Sequence, residues 1–133
     1  YELHGPFAAR VLEDLRMELM ILGVNALTVE GGAQCKHLGE AGINAEMVQR
    51  SDRVLVVATS EKLAQSALAR ICPITDVDEL ITDSGADPAA VAALRAAGVE
   101  VVVVDVVAPV PVVGSLGPGE GLDVTGRAFL ETQ

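Results

Sequence analysis

The chain has 133 residues, a formal net charge of −10, and apolar residues at half of its positions. A chain of this length suits one domain with a hydrophobic core, and the apolar fraction excludes an intrinsically disordered protein. The acidic balance argues against direct binding of DNA or RNA by this chain, because both present negatively charged backbones. No apolar run approaches the roughly 18 residues of a membrane span, so we expect no membrane association.

The first half of the chain alternates predicted helices and strands. Pro6 to Arg16 is predicted to form a helix, because Pro fits its first turn and apolar residues recur at helical spacing. Leu19 to Val24 is a predicted buried strand, Asn25 to Leu38 a predicted loop, and Glu40 to Gln49 a predicted second helix. The run Val54 to Ala58 is continuous in apolar residues rather than alternating, which predicts a strand buried on both faces.

The second half continues this alternation. Val77 to Thr82 is predicted to be a strand. Asp87 and Pro88 supply the cap and first position of a helix, and Gly98 stands just past its end. Val99 to Val107 is the strongest strand signal. The pattern predicts an α/β fold with a Rossmann-like, open, mostly parallel sheet and crossover helices.

The composition changes near residue 108. Residues 108–133 hold three of the six prolines and five of the thirteen glycines. We therefore expect one α/β domain over residues 1–107 and a Pro/Gly-rich tail over 108–133. Cys35 and Cys72 lack metal-ligand spacing, so we expect reduced thiols in a cytoplasmic protein, with neither a metal site nor a disulfide.

Candidate ligand-binding residues cluster after predicted strands, where open α/β sheets bind ligands. The glycine pair Gly31-Gly32 could direct backbone N–H groups at an anion, and Lys62 could add a positive charge. We expect these groups to converge at one edge of the sheet. The predicted ligand-binding residues are Asn25, Gly31, Gly32, Ala33, Gln34, Glu40 and Lys62.

Each of these signals also has a structural interpretation. Adjacent glycines more often form a turn than an anion site, and a lone lysine is most often a solvated surface residue. Asp83 could simply cap a turn with Ser84 and Gly85. Because the sequence has no Walker-type loop and no dinucleotide fingerprint, it predicts no cofactor.

Three motifs occur in the order and spacing of one known family. Val57 to Lys62 is similar to the family's strand end L-A-D-S-S-K, and Pro73 to Asp83 is similar to its a-P-L-s-x-v-D-x-l-I-T-D stretch. Ala96 to Val101 is similar to its A-A-G-V-E-V passage from helix to strand. On these motifs the chain, from about Leu3 to Val104, resembles the effector-sensing domain of DeoR-family transcriptional regulators.

The resemblance implies a fold shared with ribose-5-phosphate isomerase and glucosamine-6-phosphate deaminase. It implies a cytoplasmic repressor that binds a phosphorylated sugar or similar anion, and that binds DNA through a winged helix-turn-helix that this chain lacks. Sensor domains of the family also begin earlier, with a strand and a Ser/Thr/Gly-rich phosphate loop. We therefore expect a fragment truncated at its N-terminus, with part of the ligand site absent. The missing strand predicts an exposed sheet edge and hence a homo-oligomer, with Val99 to Val113 contributing to the contact.

Three functions remain open: a ligand sensor, a degenerate protein-interaction module, and a sugar-phosphate isomerase or deaminase. The isomerases of this fold carry an acidic group where this chain has Asn25, and a lysine where it has Glu30. A carboxamide cannot act as a general base, which argues against an enzyme. Within the strand-end motif, Thr59 and Glu61 also differ from the family pattern, and Glu61 places a carboxylate beside Lys62.

Overall fold

The computed structural model describes residues 10–105, in which strands and helices alternate along the chain. The strands in this part are β1 (Met17–Gly23), β2 (Ala26–Thr28), β3 (Gly32–Cys35), β4 (Ser51–Val57), β5 (Ala69–Cys72), β6 (Glu79–Asp83) and β7 (Glu100–Val104). The α-helices are α1 (Leu38–Gln49) and α2 (Pro88–Ala96), and two 3₁₀ turns span Ser60–Ala64 and Ile74–Asp76. The predicted tail over 108–133 lies outside the described residues.

Four strands form a parallel sheet in the order β1-β4-β6-β7. Between β1 and β4 the chain passes through α1, and between β6 and β7 it passes through α2, so both helices belong to crossover connections. This architecture confirms the predicted Rossmann-like, open, mostly parallel sheet. Of the predicted first helix, residues 10–12 are helical and residues 13 and 14 form a turn. That helix therefore ends earlier than Arg16, and its start lies outside the described residues.

A second, antiparallel sheet corrects the prediction of a loop from Asn25 to Leu38. It has the order β2-β3-β5, with β2 and β3 forming a hairpin that closes around residues 29–31. The strands hold three or four residues each, and β3 is buried at all four positions, so no polar–apolar alternation marks it in the sequence. Strand β5 is also only four residues long, and it is not predicted from the sequence.

Helix α2 follows its sequence signals closely. The Asp87 carboxylate accepts a hydrogen bond from the Ala89 backbone N–H at 3.0 Å, and Pro88 occupies the first helical position. Gly98 follows the last turn with φ +99°, and its N–H donates to the carbonyl of Arg95. A left-handed residue at this position ends a helix without a Cβ clash, which explains the glycine.

The core lies on one face of the parallel sheet, here called the inner face. Inner-face side chains such as Val54, Val56 and Leu80 pack with α1, α2 and the small sheet. On the opposite, outer face, Ile21 is 66% exposed and Val57 47% exposed. The prediction that Val54 to Ala58 is buried on both faces was therefore wrong for the described residues, in which both helices pack on the inner face. The outer face carries Leu19, Ile21, Leu55, Val57, Ile81, Val102 and Val104.

Candidate functional site

The carboxyl ends of the parallel strands place Asn25, Lys62 and Asp83 at one edge of the sheet. Asn25 follows β1, the 3₁₀ turn Ser60–Ala64 follows β4, and Asp83 ends β6. Helix α1 ends just before β4 begins, so its first turn, which carries Glu40, lies at the same edge. The topology thus supports a common edge for these residues, here called the carboxyl edge.

Asn25 holds the hairpin together. Its side-chain Oδ1 accepts a hydrogen bond from the Lys36 backbone N–H at 3.0 Å, and its own backbone N–H donates to the Gln34 carbonyl at 2.9 Å. Both bonds join the residue before β2 to the end of β3. The Asn25 side chain therefore has a structural role that a sequence reading for ligand contact does not reveal.

The glycine pair forms the tight end of the hairpin. The Gly31 N–H donates to the Thr28 hydroxyl at 2.9 Å, and Gly32 has φ +68°, a conformation that favours glycine. A Cβ at Gly32 would collide with the Cys72 carbonyl oxygen and would lie 2.9 Å from the Pro73 Cα. Contact with β5 therefore accounts for this glycine, and the pair stands where the hairpin turn meets β3, while its predicted contact with a ligand stays a prediction.

Ala33 and Gln34 are buried in β3. The Gln34 Oε1 accepts a hydrogen bond from the Ala67 backbone N–H at 2.8 Å, across 33 residues of sequence. Its Nε2 lies so close to Gly31 that a side chain there would clash. Gln34, predicted like Ala33 to contact ligand, thus anchors the segment before β5 to the hairpin.

Lys62 lies in the 3₁₀ turn after β4, half-buried, with its backbone N–H donating to the Thr59 carbonyl at 3.0 Å. The turn packs against β2 and buries Leu63. Among residues 10–105, no carboxylate lies within 4.0 Å of the Lys62 ammonium. The neighbouring Glu61 carboxylate instead accepts a hydrogen bond from the Thr59 hydroxyl at 3.3 Å, so it does not pair with the lysine.

Asp83 links two adjacent strand ends. Its carboxylate accepts one hydrogen bond from the Ser60 backbone N–H and a second from the Ser60 hydroxyl, the latter at 3.0 Å. The first of these bonds is the main cause that holds the pKa of Asp83 below its usual range. From the sequence, Asp83 is a strand-end candidate with a capping role as its structural interpretation, and nothing there signals its bond to Ser60, 23 positions away.

A groove of about 210 Å³ opens beside the hairpin turn. It runs between the end of β2, the 3₁₀ turn after β4 and helix α2, and Glu30 is its one charged lining residue. The remaining lining residues are Leu27, Thr28, Val29, Leu63, Ala90, Ala93 and Leu94. The carboxyl edge therefore combines an apolar groove with an ammonium group and several hydroxyls, which suits binding more than proton transfer.

None of the helices described is long and apolar enough to cross a membrane.

Comparison with known proteins identifies the family of this chain. A family model described as the DeoR C terminal sensor domain matches residues 1–84. The chain is 35% identical over 100 residues to the uncharacterized HTH-type transcriptional regulator YulB of Bacillus subtilis (strain 168). The aligned residues make up 75% of this chain and 39% of that protein. It is 33% identical over 100 residues to the HTH-type transcriptional regulator GlpR of Haloferax volcanii, again covering 75% and 39%.

The chain thus spans about two fifths of the length of these relatives. The match to the sensor-domain model covers well over half of the chain, and the matched relatives are transcriptional regulators. The chain belongs to the DeoR family of transcriptional regulators, as part of its C-terminal sensor domain.

Proposed function

We propose that this chain senses a small anionic effector, such as a phosphorylated sugar, for a DeoR-type repressor. The observation that carries the proposal is the Lys62 ammonium at the carboxyl edge, which has no carboxylate partner within 4.0 Å among residues 10–105. An unpaired ammonium on a flexible stem suits a phosphate or carboxylate group. An apolar groove, lined in part by Leu63 of the same 3₁₀ turn, offers a surface for the rest of a small ligand.

Binding of ribose 5-phosphate, measured by isothermal titration calorimetry, tests the proposal. We expect Lys62→Met to weaken binding by about tenfold or more, since one charge-assisted hydrogen bond is lost. Lys36→Met is a matched control, because Lys36 is the other lysine of the chain and its removal changes the net charge equally. Equal binding by wild type, Lys62→Met and Lys36→Met would contradict the proposal.

We propose further that the domain binds without catalysing turnover. The structure supports this because Asn25, at the position where the isomerases carry an acid, is engaged in the hairpin through its Oδ1. A carboxamide so engaged can neither take up a proton nor release one. Ribose 5-phosphate incubated with the chain should therefore stay unconverted when followed by proton NMR.

In the whole regulator, DNA would be bound by a separate helix-turn-helix domain, as the names of the matched HTH-type relatives suggest. The acidic character of this chain supports that division, since negative charge repels DNA. The sensor would also join copies of the regulator. The exposed apolar side chains of the outer face support a homo-oligomer, and part of the predicted contact over Val99 to Val113 lies outside the described residues.

A further inference from the structure

The carboxylate of Asp83 holds the start of the 3₁₀ turn that carries Lys62. Strands β4 and β6 are neighbours, and their ladder continues to the Ala58 N–H, which donates to the Ile81 carbonyl at 3.1 Å. Beyond this bond, both the backbone N–H and the hydroxyl of Ser60 donate to Asp83. This pair of bonds is here called the Ser60–Asp83 latch.

The loop after β6 is shaped to bring the latch together. The Ala86 N–H donates to the Asp83 carbonyl at 3.2 Å, which closes a turn directly after the strand. A Cβ at Gly85 would lie 2.8 Å from the Ser60 hydroxyl oxygen and 3.2 Å from Asp83 Oδ2. Glycine therefore leaves room for the hydroxyl and the carboxylate to meet.

The latch fixes an element that has little stability of its own. A 3₁₀ turn of five residues has few internal hydrogen bonds, so its position depends on contacts with the rest of the fold. Leu63 provides one such contact by its burial, and Ser60 provides the other at the first position of the turn. Lys62 lies between these two fixed points.

Two carboxylates accept hydrogen bonds at the start of the turn that carries Lys62. The Asp83 carboxylate receives two hydrogen bonds from Ser60, and the Glu61 carboxylate receives one from the Thr59 hydroxyl. Neither carboxylate lies within 4.0 Å of the Lys62 ammonium, among the residues that the structure describes. The turn thus presents a cation whose two acidic neighbours bond elsewhere.

We infer that Asp83 is a positioning residue for anion recognition, which acts through Ser60 to hold Lys62 where it meets a phosphate monoester. The inference rests on the proposed function, since it assigns a role to Asp83 in the same binding edge. Asp83 does not itself contact the anion. Its effect on affinity must therefore depend on the presence of Lys62.

A double-mutant cycle measured by calorimetry with ribose 5-phosphate tests this dependence. We expect Asp83→Asn to weaken binding about tenfold, because it removes the charged acceptor of the latch. Ser60→Ala should weaken binding about threefold, because it removes the hydroxyl donor and leaves the backbone N–H donor in place. In a Lys62→Met background, Asp83→Asn should change the affinity less than about twofold, because the positioned group is gone. Asp87→Asn, which neutralises the exposed N-cap carboxylate of α2 and leaves a residue that still caps the helix, should bind like wild type.

The outcomes separate the inference from the proposed function. Should Asp83→Asn and Ser60→Ala both bind like wild type while Lys62→Met does not, the positioning role is wrong and the sensor function stands. Equal weakening by Asp83→Asn with and without Lys62 shows a general structural effect and also overturns the inference. Wild-type affinity in Lys62→Met overturns the proposed function, and the positioning role with it. If Asp83→Asn does not fold, the same cycle with Ser60→Ala decides the matter.

Discussion

At the scale of single residues, burial in the core changes the ionisation of Cys72. It lies in β5 with 3% of its surface exposed. Burial, together with the nearby charge of Asp76, raises the pKa of its thiol to about 11. A thiol in this setting is a small apolar core residue rather than a nucleophile.

The raised pKa of Cys72 predicts a pH dependence of stability. The unfolded chain ionises its thiol near pH 8.5, whereas the folded chain keeps the neutral form to about pH 11. The stability that depends on the neutral thiol is therefore complete below about pH 8.5 and is lost as the pH rises toward 11. Urea unfolding between pH 7.5 and 10.5 should show this decline in Cys35→Ala protein.

Cys72→Ala in the same background is the control, because alanine cannot ionise. Its stability is lower at pH 7.5 from the lost core contacts, but it should decline less as the pH rises. Parallel curves for the two proteins would contradict the pKa assigned to Cys72.

At the scale of elements, Gly32 and Gly42 lie in different surroundings, so replacing each with alanine should change the free energy of unfolding in opposite directions. Gly32 has φ +68° and faces the Cys72 carbonyl, whereas Gly42 lies in α1 with nothing within 4 Å of an added Cβ. Gly32→Ala should destabilise the fold by about 3 kcal/mol or more, through left-handed strain and overpacking. Gly42→Ala should stabilise it by about 0.5–1 kcal/mol, since alanine is the better helix former.

Chemical denaturation of the two variants measures both values against wild type. A small effect of Gly32→Ala would mean that the hairpin turn does not press against β5 as described. Loss of stability in Gly42→Ala would mean that this face of α1 is not free.

Elements with strong local signals could be predicted from the sequence, and those defined by tertiary contact could not. Helix α2 carries its own cap, its proline and its terminal glycine, so Asp87, Pro88 and Gly98 located it correctly. Strands β2 and β3 form a hairpin of very short strands, and β5 pairs with β3 across a long stretch of sequence, for example Ala33 with Cys72. Their residues were therefore read as loop, or not assigned.

In the candidate site, too, some features could be predicted from the sequence and others could not. The carboxyl edge and the place of Lys62 could be predicted, because strand ends and the family motif mark them. The structural roles of Asn25 and Gln34 could not, since each depends on a backbone N–H that only folding brings near. The bond between Asp83 and Ser60 is hidden for the same reason.

At the scale of the whole molecule, the exposed apolar side chains of the outer face predict that the chain self-associates. Its exposed aliphatic side chains adjoin a charged row in which Arg53 pairs with Glu79 and Glu100. Apolar surface of this kind favours association, and a stable interface buries on the order of 1,200 Å² or more in total. We expect the chain to sediment as a homo-oligomer at micromolar concentration.

Val102→Lys should shift this oligomer toward monomer, because it places a charge in the outer face near the predicted contact. Leu68→Lys is the matched control, since Leu68 is 77% exposed and precedes β5, away from the outer face. A wild-type chain that sediments as a monomer would contradict the prediction, as would equal dissociation by both variants.

The claim that the carboxyl edge is the effector site is tested most directly by titrating the ¹⁵N-labelled chain with ribose 5-phosphate. Amide signals of residues 24–34, 58–64 and 83–85 should shift together with one dissociation constant, and Lys62→Met should suppress the shifts. The opposite edge offers a control region, a groove of about 320 Å³ that includes Arg16 and Arg50. Shifts confined to that region, or no shift anywhere, would contradict the account.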